Sequence, residues 1–132
     1  RGRPADAWAL LVKRPRTDAV LLRLAIAGTE AGRPEAAALA AEMRERIAQA
    51  ALRPGARDVH AREHSMFALA VDRDPARALA LARDNVAQQR EPIDLLVLAQ
   101  AARAAGDAAA TREAARLGKD MGLHDRRLDA LR

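Results

Sequence analysis

The chain has 132 residues, a length suited to one small domain or a short array of repeats. Half of it is hydrophobic, yet it holds one Trp, one Phe, no Tyr and no Cys. That composition excludes disulfides, thiolate chemistry and a core built on aromatic rings. The formal charge of +5 comes from Arg interspersed with acids, the pattern of a solvated helical surface.

Helix formers prevail and long β-branched runs are missing, so an all-α fold is predicted. PADAWALLVKRP predicts a short first helix from about Pro4 to Lys13, with Trp8, Leu11 and Val12 as an apolar side. Pro15 interrupts it. Thr17 then supplies a cap for a helix over 18–31 that carries Val20, Leu21, Leu24, Ala25 and Gly28 near one face. After Gly32-Arg33-Pro34, a helix over 34–52 offers Ala37, Leu39, Ala40, Met43 and Ile47 for packing. The Arg53-Pro54-Gly55-Ala56 loop follows, with Asp58 as a candidate cap for 59–71. Asp74-Pro75 is a stronger helix start, since Asp accepts backbone N–H groups and Pro fits the first turn. That helix runs over 75–89. Glu91-Pro92 opens another over 93–105, and Gly106-Asp107 separates it from one over 108–121.

These helices fall into three pairs whose internal breaks lie at Gly32-Arg33, Arg73-Asp74 and Gly106-Asp107. Alanine supplies much of each apolar side. It permits close backbone approach at little entropic cost, but one hairpin of such faces closes no core alone. Stacking against similar neighbours does, so the pattern predicts a helical-repeat solenoid.

On these residues the chain resembles the tetratricopeptide repeat family over roughly 18–121. In the third pair Leu95, Leu98-Ala99, Ala102, Thr111 and Ala115 occupy the family's recurring positions, as do Leu21, Leu24-Ala25, Gly28, Ala37 and Ala41 in the first and Ala78 in the second. Gly28 and Ala102 stand where the family carries a bulky residue. DPARALALARDNVAQQREP also resembles repeats in uncharacterised bacterial proteins of this class. The resemblance implies a capping helix over 1–16, three degenerate hairpins over 17–123 and a cap or tail over 124–132. It further implies a noncatalytic scaffold that binds a protein or peptide in a groove lined by first helices. The corresponding residues are Leu22, Ile26 and Thr29, then His60, Glu63 and Phe67, then Leu96, Gln100 and Arg103.

Two rival readings remain. Arg83, Arg90, Arg103, Arg112, Arg116, Lys119, Arg126 and Arg127 offer a basic rim for nucleic acid, without an aromatic series to stack on bases. HAREH at 60–64 has the H-x-x-E-H spacing of an inverted zinc-peptidase motif, in which two His bind metal and Glu acts on water. It needs a third ligand, for which Glu91 and Glu113 are the candidates. Thr17, Thr29, Ser65, Thr111 and His124 show no relay pattern, and isolated glycines cradle no phosphate. The expectation is therefore no enzyme, no cofactor and no metal. The start RGRPAD has no Met and no signal-peptide pattern, and no transmembrane run occurs; the compartment stays open between cytoplasm and periplasm.

Overall fold

Thr17, Asp74 and Asp107 each begin a helix by accepting a backbone N–H three residues on, from Val20 (3.3 Å), Arg77 (3.1 Å) and Ala110 (2.9 Å). In the computed structural model, which describes residues 3–54 and 60–122, all regular structure is helical. The elements are α1 (Pro4–Leu11), α2 (Asp18–Glu30), α3 (Ala36–Ala51), α4 (Ala61–Ala70), α5 (Pro75–Gln88), α6 (Pro92–Ala104) and α7 (Ala108–Asp120). They match the predicted helices to within a few residues. The proposed cap Asp58, His124, Arg126, Arg127 and the 124–132 tail lie outside the described residues.

The chain divides into two compact units, Arg1–Asp58 and Val59–Arg132. In the first, α2 packs against both α1 and α3. Leu21, Leu24, Ala25, Leu39, Ala40 and Met43 are buried, while Arg46 clamps α3 to Asp18 at 2.7 Å. Trp8 of α1 is 8% exposed, and its ring lies on Gly28 of α2 with the Arg33 guanidinium 5.0 Å from the ring centroid. Arg33 also pairs with Glu35 at 3.1 Å. A backbone hydrogen bond at Glu35, and then Arg33, hold that carboxyl below its ordinary range. Val12, expected on the covered side of α1, is exposed, although its backbone keeps helical geometry and its N–H still reaches Trp8 O.

In the second unit α5 packs against α4 and α6, α6 against α7, and α4 directly against α6. This is the consecutive helix packing of a generic helical-repeat architecture. α6 is its centre: every residue from Asp94 to Ala99 is buried, as are Ala101 and Ala102. Small residues let neighbours close on it, Ala78 and Ala82 from α5 and Ala110 and Ala114 from α7.

The hairpin turns are built on left-handed residues. Gly32 (φ +68°) and Gly106 (φ +67°) end α2 and α6, and the next N–H reaches back to Gly28 O (2.8 Å) and Ala102 O (3.0 Å). Arg73 (φ +50°) holds the equivalent place between α4 and α5 without the freedom of glycine. Burial corrects the residue assignments of two second helices, α3 and α7. Ala37 and Ala41 are exposed while Ala36 and Ala40 are buried; Thr111 and Ala115 are half-buried while Ala110 and Ala114 are buried. The packing side falls one residue earlier than the resemblance implies.

Candidate functional site

The chemically densest place in the second unit joins α4, α5 and α6 around Asp94. As the third residue of α6, its carboxylate accepts the Glu91 N–H at 2.7 Å and so closes the helix start. The same carboxylate accepts from Asn85 Nδ2 of α5 at 2.7 Å and from Arg62 Nη1 of α4 at 3.0 Å. Asp94 is 0% exposed and Asn85 is buried, with its Oδ1 accepting from Gln89 at 2.9 Å. Every oxygen of the buried carboxylate is thereby satisfied, and the charge is matched by a guanidinium. Arg62 also faces Glu63 at 3.6 Å and Glu91 at 3.7 Å. Close by, the Ser65 hydroxyl donates to Ala78 O at 2.7 Å and fixes α4 on α5. Sequence reading passed over all of Arg62, Asn85 and Asp94; the available signal was an acid three residues after Glu91.

The nine groove residues separate by burial. Leu22 is buried in the first unit, and Ile26 and Thr29 are half-buried there, the Thr29 hydroxyl donating to Ala25 O at 2.8 Å. In the second unit Phe67 is 1% exposed and Leu96 is also buried, so both serve helix packing. Glu63 is half-buried, and His60, Gln100 and Arg103 are exposed. The α4–α6 contact brings the two first helices together, and their accessible candidates are polar.

His60 and His64 have ring centroids 6.2 Å apart in an edge-on arrangement. Glu63 turns to Arg62, and Glu91, one of the two envisaged third ligands, faces Arg62 too; the other, Glu113, pairs with Arg83 at 3.7 Å. Among the described residues no three His, Asp or Glu side chains gather in a metal-holding group. The basic candidates also divide. Arg83 lies 3.9 Å from Asp107 besides its contact with Glu113, and Arg90 Nε donates to Val86 O at 3.0 Å. Arg112, Arg116 and Lys119 are exposed along α7. Trp8 and Phe67, the sole Trp and Phe of the chain, are both buried and present no stacking platform. Among the described residues no helix is long and apolar enough to cross a membrane.

No protein-family model, curated protein or solved structure matches the chain.

Proposed function

We propose that this chain is a noncatalytic protein- or peptide-binding module of tetratricopeptide-like type, acting through the accessible side of α4 and α6. The observation that carries the reading is the direct packing of α4 on α6, the first helices of two successive hairpins. His60, Glu63, Gln100 and Arg103 retain accessible surface on these elements, while Phe67 and Leu96 are committed to packing. Recognition on this surface is therefore polar and directional, through the Gln100 amide, the Arg103 guanidinium and the Glu63 carboxylate.

The test starts with capture of partners on the full chain at physiological salt, followed by titration of each purified partner. Gln100→Ala combined with Arg103→Ala weakens binding by about 1–2 kcal/mol if these side chains touch the partner. Glu63→Gln preserves size, removes charge and changes the order of preference among peptides. Unchanged affinity in both variants, with unchanged unfolding curves, would remove this surface from the function.

A further inference from the structure

The HAREH motif is only partly absorbed by the peptide surface, which uses His60 and Glu63. His60 and His64 stand one turn apart at the start of α4, and the His64 N–H donates to His60 O at 2.9 Å. That bond closes the first turn, so both imidazoles leave the same side of the helix. His60 is exposed and His64 half-buried. Their ring centroids lie 6.2 Å apart, with the ring planes inclined at 60°. A metal ion bound by a ring nitrogen lies in the plane of that ring. Two inclined planes share a line on which one ion can satisfy both, whereas stacked rings would share none. With metal–nitrogen bonds of about 2.1 Å and a tetrahedral angle, two ligating imidazoles hold their centroids about 5.3 Å apart. The observed separation exceeds that by about 1 Å, within the reach of ordinary side-chain rotation.

The charge on this turn favours a cation. One guanidinium, Arg62, faces three carboxylates: Asp94 at 3.0 Å, Glu63 at 3.6 Å and Glu91 at 3.7 Å. The formal balance of that group is negative on a chain whose net charge is +5. Its contacts also commit Glu63 to Arg62, away from the role of a base beside a metal-bound water.

We propose that His60 and His64 form a two-histidine site for a divalent transition-metal ion, whose other coordination positions are open to water or to a donor from outside the chain. Imidazole nitrogen selects Zn²⁺, Ni²⁺ or Cu²⁺ over Mg²⁺ and Ca²⁺, which take oxygen ligands. The site shares His60 with the peptide surface but needs no peptide to form. Binding is coupled to folding, because the helical turn is what presents both rings to one ion.

Zn²⁺ alone is the probe, titrated by calorimetry into the full chain in a weakly coordinating buffer. Zn²⁺ binds saturably, and an excess of Mg²⁺ of about tenfold leaves the titration unchanged. H60A, at an exposed position, keeps the circular dichroism of the parent and weakens Zn²⁺ binding by at least about tenfold. H64A weakens it likewise, whereas H124A, at a position outside the described residues, retains the parent affinity. Zn²⁺ at about a hundred times its dissociation constant raises the folding equilibrium constant of the parent about a hundredfold, and that of H60A by about tenfold or less. Parent-like affinity in H60A would overturn the proposal. So would loss of binding in H124A, displacement of Zn²⁺ by Mg²⁺, or a titration with no saturable Zn²⁺ binding.

Discussion

The Trp8 ring occupies the space in which any side chain at position 28 would begin. A Cβ built on Gly28 meets Trp8 Cζ3 at 2.8 Å and Cε3 at 3.2 Å, and the Arg33 guanidinium lies 5.0 Å from the ring centroid. Glycine here is an accommodation to α1. It lowers the intrinsic helix tendency of α2 by roughly 1 kcal/mol relative to alanine, and the gain is the close seating of the indole.

That relationship gives an outcome that changes sign with context. In the parent chain Gly28→Ala forces the ring aside and destabilises the first unit by about 1–2 kcal/mol net. In a Trp8→Ala background the same substitution stabilises it by about 0.5–1 kcal/mol, because only the helix tendency remains. Urea unfolding followed by circular dichroism closes the cycle; additive effects would refute the contact. Trp fluorescence in the parent reports Trp8 alone.

The buried carboxylate of Asp94 makes a different demand. Asp94→Ala leaves Arg62 without its buried partner and Asn85 without an acceptor, and costs about 3–5 kcal/mol. Asn85→Ala costs about 1–3 kcal/mol. The two changes fall on one network, so their double variant departs from additivity by about 0.5–3 kcal/mol. Denaturant unfolding of the three variants, read by circular dichroism, measures the coupling directly.

The left-handed turn residues supply a third test. Gly106→Ala puts a Cβ on a residue at φ +67° and lowers stability by about 1–2 kcal/mol, although no atom lies near enough to clash. Arg73→Gly relieves the same conformation at φ +50° and raises stability by about 0.5 kcal/mol. Opposite signs in thermal unfolding identify backbone conformation, not side-chain contact, as the cause.

Neighbouring positions on α6 distinguish buried from open surface. Ala99→Asp introduces an unpaired charge into packed helices and costs more than about 4 kcal/mol. Gln100→Asp, one residue on and exposed, changes stability by no more than about 0.5 kcal/mol. Similar losses in unfolding experiments would misplace the accessible side of α6 and with it the proposed surface.

Helix positions were legible because their signals are local: Thr17, Asp74-Pro75 and Gly106-Asp107 act on backbone groups within a few residues. The identity of the packing side in α3 and α7 was less so. The resemblance set it one residue late, at Ala37 and Ala41 and at Thr111 and Ala115, although the apolar spacing alone already put Leu39, Ala40 and Met43 on the buried side of α3. Gly28 stood out as small where a bulky residue was expected, but nothing local ties it to Trp8. For the candidate surface, the repeat resemblance marked Phe67 and Leu96 as groove contacts, without revealing that neighbouring helices cover them. Arg62, Asn85 and Asp94 are brought together by three helices converging on one carboxylate, a relationship between distant residues that no local pattern encodes.

Loops between helices are usually where chains lengthen or shorten most freely, but the Gln89–Glu91 link is a poor place for either. Asn85 lies before it, Asp94 lies after it, and the Glu91 N–H within it is held by the same carboxylate. One residue added or removed there advances or retards Asp94 by about 100° around α6, swinging its charge off both Asn85 and Arg62. The segment with the appearance of a spacer is thus a measured length, and relatives of this chain should vary in size at their other connections before they vary here.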